Sequence, residues 1–361
     1  MPKKSISSLE LTALVNELQF LVQSKLSQIY HQDEKELLLQ FHVTGTGKEL
    51  LKIIAGKLLC LTSNKDAPIK PSAFCMQLRK YIEGAFLESL YQKDAERVVV
   101  FELEKKDRYY FIVELFSKGN VILTDKNYQI IGVLEEQIWK DRAVKPKEKY
   151  IFPLAGHNWK TITPKELKEV FEKSEKRNTA TTLATEVGLG GIYAEEVCLL
   201  NEIDKDKSPK TVTSEEAQKV VKTIHNLLHL VESPGGYIYE EEITPFPLQG
   251  QKVVQETKTY SEAIDGLNPF QIVSPYVQKI KSLEKNISDQ QETMRKHEVG
   301  VELNRRKGEL IYEKYMPLRK LLEIVAEMKK TSNWHQIEEE LRKEKKIKQV
   351  NLKTKKIIID L

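Results

Sequence analysis

The sequence predicts an α+β fold, and three observations carry that prediction. Through the first 150 residues, short apolar runs of strand composition alternate with turns rich in Gly, Asn and Asp. Two stretches interrupt this rhythm with apolar residues at three- and four-residue spacing, one opening the chain and one at Pro71–Ile82. Beyond residue 160 the pattern is mostly helical, which sets a sheet-rich head apart from the helical segments behind it.

In chain order, Ser7-x-x-Glu10 reads as a capping box ahead of Leu11, Leu14, Val15, Leu18 and Leu21 on one helix face. Leu26–Tyr30, Glu36–Val43 and Leu50–Leu61 read as strands. The intervening Gly45-Thr46-Gly47-Lys48 lacks the four-residue gap and the following Ser/Thr of a P-loop, so it reads as a hairpin turn. Pro71 suits the first turn of the second helix, where its missing N–H costs nothing, and Gly84 ends that run. Gln92–Ala95 is a polar connector, with Glu96 and Arg97 standing where the chain turns into Val98–Phe101. Strands follow near Arg97–Leu103, Tyr109–Phe116, Asn120–Thr124 and Ile130–Leu134, and Gly119-Asn120 can close a tight hairpin. This antiparallel unit ends near Pro153.

Thr163-Pro164 opens a short helix, and Leu183–Leu199 then reads as helix, tight glycine hairpin, helix. Gly188, Gly190 and Gly191 let that hairpin's backbone approach a phosphate, at the positive end of the second helix's dipole. Such hairpins also serve as plain packing modules, and Glu195 and Glu196 would repel a nucleic-acid backbone. Ser214–Val231 is a helix capped by Ser214, and Tyr237–Tyr239 with Lys252–Val254 form a small sheet. From Val273 the stripe Val277, Ile280, Leu283, Ile287 leads to Gly300, read as a break, after which Leu310–Met328 resume on a returning helix. Residues 275–330 are thus an antiparallel coiled-coil arm. Asn333–Ile337 begin a last helix and Val350–Leu361 a closing strand.

Composition narrows the function classes. No apolar run approaches the 18 residues of a membrane span, and MPKKSISSLEL has no sustained apolar segment after its lysines, so no signal peptide is read. Cys60, Cys75 and Cys198 have no C-x-x-C spacing, which points to a reducing, cytoplasmic compartment and away from disulfides or zinc. His225 and His229 stand four apart, but Asn226 sits where a zinc-protease helix needs its Glu, so no metal is expected. The net charge of +4 is uneven: residues 275–361 hold 21 Lys/Arg against 14 Asp/Glu, the remainder 36 against 39. A basic arm on a near-neutral body suits a polyanion. No nucleophile–base constellation is found, and no catalytic residue is assigned.

PSAFCMQLRKYIEG at Pro71–Gly84, followed by ERVVVFEL at Glu96–Leu103, resembles the N-terminal domain of the NFACT family, the ribosome quality-control factors of the RqcH type. ELFSKGNVILTD at Glu114–Asp125, Asp141-Arg142 through Pro153, the Tyr260–Gly266 lead-in and RRKGELIYEKY at Arg305–Tyr315 extend the resemblance over most of the chain. Ser117 stands where the family's motif has Gly. The resemblance implies an NFACT-N domain over residues 1–155, like the N-terminal domain of formamidopyrimidine-type DNA glycosylases. It further implies a helix-hairpin-helix domain over 160–235, a connector over 236–274, the arm over 275–330 and a return over 331–361. It implies a tRNA site at Glu10, Glu96 and Arg97, where the family's acids are Asp, one methylene shorter. Gly188, Gly190, Gly191, Arg305, Arg306 and Lys307 are the candidate nucleic-acid backbone contacts. From residue types alone, Glu96–Arg97 also fits a solvated surface pair and Glu10 a pure capping role. The implied partners are tRNA, the large ribosomal subunit and its stalled nascent chain, with no cofactor and no membrane. The implied task is recruitment of tRNA for mRNA-independent tailing, with peptide transfer left to the ribosome. The family normally continues into a further domain, so the chain reads as an N-terminal portion. A nucleic-acid scaffold without tailing is the main rival. A glycosylase-like lyase using Met1-Pro2 is disfavoured by Lys3 in place of the catalytic Glu, and an adhesin by the lack of an export signal.

Overall fold

The structure, a computed structural model, describes residues 5–65, 71–139, 142–154, 156–240, 242–267, 275–343, 347–351, 354 and 356–359. The expectations on Met1–Lys3, Asp141, Val273 and Leu361 lie outside the described residues, as do the side chains of Val277 and Ile280. The chain forms two compact units, residues 1–271 and 272–361.

The first unit begins with α1 (Ser8–Glu17), whose capping box is complete: Ser7 Oγ accepts the Glu10 N–H and Glu10 returns the bond to the Ser7 N–H. There follow β1 (Lys25–Asp33), β2 (Glu36–Val43), β3 (Gly47–Ile54), β4 (Leu58–Leu61), α2 (Ala73–Ile82), β5 (Phe86–Gln92), β6 (Val98–Glu104), β7 (Arg108–Glu114), β8 (Asn120–Asp125) and β9 (Ile130–Val133). These strands make one antiparallel sheet in the order β4-β3-β2-β1-β5-β6-β7-β8-β9. The two halves join through a single register pair, Lys25 with Phe86. The α+β class expected from the sequence is the one observed.

Three local expectations are corrected within this unit, and one strand, β5, is found where none was expected. The helix at Pro71 starts slightly later, with Ser72 as N-cap, because its hydroxyl accepts the Cys75 N–H. Leu50–Leu61 is two strands, because Gly56 turns the chain at φ +78°. There the backbone packs so closely on the Phe116–Gly119 turn that a Cβ on Gly119 would lie 1.9 Å from Gly56 N. β5 has a mixed sequence, FLESLYQ, that carries no strand signal, yet β6 offers it a full ladder from Phe86–Glu104 to Gln92–Val99. Thr213, not Ser214, caps the later long helix, with Glu216 completing the box.

After β10 (Gln137–Ile138) and β11 (Ala143–Val144) the chain turns helical: α3 (Pro164–Lys173), α4 (Thr179–Thr185), α5 (Gly191–Leu200) and α6 (Ser214–Leu230). β12 (Gly236–Ile238), β13 (Ile243–Thr244) and β14 (Gln255–Thr257) lead to α7 (Tyr260–Leu267). Glu17 of α1 accepts the Tyr260 and Ser261 N–H groups at 2.9 and 3.2 Å, so the first helix caps the last one of the unit. One apolar core runs from Ile6 through the inner sheet face to Leu183, Tyr193, Leu227 and Ile264. Head and helical segments are therefore packed on shared side chains.

In the second unit α8 (Pro275–Glu313) continues straight through Gly300, and α9 (Tyr315–Thr331) follows directly. The bonds Lys314 N–H to Leu310 O and Leu318 N–H to Lys314 O keep helical bonding on both sides of the junction, while Pro317 has no N–H to give the Glu313 carbonyl. The expected reversal at Gly300, and with it the antiparallel arm, is not formed among the described residues. A single helical glycine costs only about 1 kcal/mol relative to alanine, too little to break a long helix. The irregularity falls instead at Glu313–Lys314, where the ring of Pro317 opposes the carbonyl four residues earlier. α10 (Trp334–Leu341), β15 (Ile347–Asn351) and β16 (Lys356–Ile359) pack on α9 through Val325, Met328, Ile337, Leu341 and Val350. The expected closing strand is thus a hairpin. No helix of the described residues is long and apolar enough to cross a membrane.

Candidate nucleic-acid interface

A cleft of about 570 Å³ opens in the first unit where three separate segments meet. The start of α1 contributes Ser5 to Ser8 and Glu10, the β5–β6 loop contributes Ala95, Glu96 and Arg97, and the α4–α5 hairpin contributes Gly188, Gly190 and Gly191. Gly156, His157, Ile192, Tyr193 and the end of α4 with the acidic Glu186 also line it. Six of the residues singled out in the sequence are therefore brought together: Glu10, Glu96, Arg97 and the three glycines. Arg305, Arg306 and Lys307 are exposed on α8 and do not line the cleft; Arg305 Nε bonds Glu309 at 3.1 Å.

Close packing explains the glycine hairpin. Gly190 holds φ +89°, and a Cβ there would come within 3.0 Å of Ser7 Cβ, so only glycine lets α5 start this near the start of α1. No side chain caps α5, which leaves the positive end of its dipole at the cleft wall.

Arg97 is half-buried. Its Nη1 donates to Ser5 Oγ at 2.9 Å and to Ile6 O at 3.3 Å, while Nε and Nη2 make no hydrogen bond among the described residues. Burial pushes its guanidinium below the usual range and neighbouring Glu96 pulls it back, so it stays a cation. Glu96 spends Oε1 on the Gly156 N–H at 2.8 Å, and its other oxygen makes no hydrogen bond among the described residues. The pair faces an open concavity. This is not a solvated pair on a convex surface.

Glu10 behaves differently, and its expected role as a reader is corrected. It is 0 % exposed. Oε2 accepts the Ser7 N–H at 2.7 Å and Oε1 accepts the Tyr193 hydroxyl at 2.8 Å. Burial, then the adjacent Glu10 carboxylate, pushes the Tyr193 phenol well above its ordinary range, so it remains the donor. Glu10 anchors α1 to α5 beneath the cleft and presents no oxygen to a ligand, because its carboxylate is consumed by the cap and by Tyr193.

Sequence reading missed Gly156, His157 and Tyr193. His157 is an exposed loop residue with no periodic context, and Tyr193 reads as an ordinary core position of α5; neither carries a local signal. Tyr193 needed its distant partner, Glu10, to be recognised.

Chemically, the cleft combines a cation with free donors, a carboxylate with a free acceptor and an uncovered helix start. That suits a mixed ligand with both anionic and hydrogen-bonding groups better than a plain phosphate.

Comparison with known proteins adds a family. Residues 7–356 match the family described as NFACT N-terminal and middle domains. The chain is 30 % identical to an archaeal Rqc2 homolog, aRqcH, of Methanocaldococcus jannaschii, over 99 % of this chain and 58 % of that protein. It is 26 % identical to the human ribosome quality control complex subunit NEMF over 80 % of this chain and 28 % of that one. The chain therefore spans little more than half the length of its archaeal relative. Among solved structures, the N-terminal part of the fibronectin/fibrinogen-binding protein of Streptococcus suis superposes with a TM-score of 0.61 at 22 % identity, covering 73 % of this chain and 99 % of that one. The fibrinogen-binding protein of Staphylococcus aureus gives 0.60 at 20 % identity, covering 72 % and 98 %. At such identities these neighbours establish the fold alone.

Proposed function

Given that this chain belongs to the NFACT family, we propose that it is a cytoplasmic ribosome quality-control factor whose cleft holds an unpaired loop of a tRNA. In this reading the complete protein binds a large ribosomal subunit with a stalled nascent chain. It recruits tRNA for mRNA-independent tailing, and peptide transfer stays with the ribosome, so the chain itself is not an enzyme.

The observation that carries the reading is the convergence of Glu96, Arg97 and the glycine hairpin on one open cleft. Sequence-selective RNA recognition uses loops whose bases are splayed out. A carboxylate accepts from the exocyclic amine of cytosine or adenine, and arginine forks onto guanine or stacks on a base. The uncovered start of α5 suits a flanking phosphate. Glu10 enters as the strut that holds two of these walls together. The basic excess of residues 275–361 supports contact of the second unit with ribosomal RNA.

The test is a double substitution, Glu96→Ala/Arg97→Ala. tRNA recovered with the purified protein should fall about tenfold or more, the range for one lost base-reading contact. Co-sedimentation with the large subunit should stay within about twofold. Equal tRNA recovery from the variant and the unaltered protein would remove the pair from the site.

A further inference from the structure

Behind the cleft lies a buried polar cluster that the tRNA reading does not use. Gln92, at the end of β5, is at its centre, with Ser8, Thr12, Trp159 and Lys160 around it. Gln92 Oε1 accepts from Thr12 Oγ1 at 2.6 Å and from Lys160 Nζ at 2.7 Å. Gln92 Nε2 donates to Glu96 O at 2.9 Å and to Ser8 O and Oγ, both at 3.1 Å. Ser8 Oγ in turn accepts the Trp159 indole N–H at 2.9 Å and donates to Ala95 O. An ammonium can only donate, so Lys160 compels the amide oxygen to face it and thereby aims the amide nitrogen at Ser8 and Glu96.

One side chain thus ties together the three pieces of backbone that carry the cleft's polar groups. These are the start of α1, the Ala95–Arg97 loop, and the Gly156–Lys160 segment whose Gly156 N–H holds the Glu96 carboxylate. A largely buried network in which both ends of the Gln92 amide are engaged favours one geometry, because flipping the amide would set its N–H groups against the Lys160 ammonium.

We propose that Gln92 is a positioning residue of the RNA-reading cleft. Its amide, oriented by Lys160, sets the reach of Glu96 and Arg97 into the cleft without touching the ligand. The proposal rests on the tRNA reading above.

The experiment compares the unaltered chain with Gln92→Glu and Arg97→Ala, using fluorescence anisotropy with unfractionated deacylated tRNA. Gln92→Glu keeps both acceptors for Thr12 and Lys160 and adds an ion pair with Lys160, but it has no N–H for Ser8 or Glu96. Affinity should fall at least tenfold, while near-ultraviolet circular dichroism stays native. The salt dependence of the remaining binding should be unchanged, because no charge facing phosphate is lost; a purely structural residue would leave the affinity of the folded variant alone. If Arg97→Ala loses binding while Gln92→Glu stays within twofold of the unaltered chain, the positioning role is overturned and the tRNA reading stands. If Arg97→Ala itself binds as the unaltered chain does, the tRNA reading fails and takes the proposal with it. Should Gln92→Glu lose its native spectrum, Lys160→Met serves instead. It frees the amide to flip and should weaken binding about fivefold; undiminished binding by it overturns the proposal.

Discussion

Ser117 sits at φ +53° in the turn before β8, and two residues on Gly119 sits at φ +71°. The two positions predict opposite outcomes. At Ser117 a side chain is tolerated in open backbone, so Ser117→Gly relieves left-handed strain and should raise stability by about 0.5 kcal/mol after the entropy cost of glycine. At Gly119 the new methyl of Gly119→Ala would collide with the backbone of the Ala55-Gly56 turn, meeting Gly56 N at 1.9 Å and Ala55 C at 2.3 Å. Backbone cannot yield as a flexible side chain does, and the loss should be about 3 kcal/mol or more. Urea unfolding of both variants checks the signs, and a stable Gly119→Ala would show that the two turns do not pack as described. Glu10 makes a related point. Its capping role is legible from Ser7-x-x-Glu10, but its bond to Tyr193 is not, because nothing local links the first helix to α5.

Elements are most legible where period and caps agree. β2 falls on Glu36–Val43 as expected, and the glycine hairpin does separate two helices. β5 escapes sequence reading because its strand state is imposed by the ladder with β6 and not by its own composition. The arm departs from expectation for a different reason: a lone glycine such as Gly300 lacks helix-breaking weight, while Pro317 carries it. The element-scale prediction follows. Pro317→Ala removes the ring that opposes the Glu313 carbonyl and restores an N–H to it, so α8 and α9 should fuse. Amide exchange at residues 312–319 should slow by about tenfold, within the roughly 3 kcal/mol that helical proline costs. Unchanged or faster exchange there would mean that something other than Pro317 interrupts the ladder.

At the scale of the molecule, the two compact units predict separable tasks. A chain ended after Gln271 should bind tRNA within about twofold of the full chain and lose co-sedimentation with the large subunit, since the basic excess resides in residues 275–361. Loss of tRNA binding in the shortened chain would place part of that site in the second unit. The sequence by itself determined the α+β class, the capping box of the first helix, most strand positions, the family resemblance and which residues to watch, because each of these is written in nearest-neighbour period or in a contiguous motif. Only the tertiary structure decided that Glu96 and Arg97 face a concave surface, that Glu10 is spent beneath it, and that Gln92 stands behind all three. Those outcomes depend on segments far apart in the chain meeting across one core, and burial and hydrogen-bond saturation are set by that meeting rather than by any residue's neighbours in sequence.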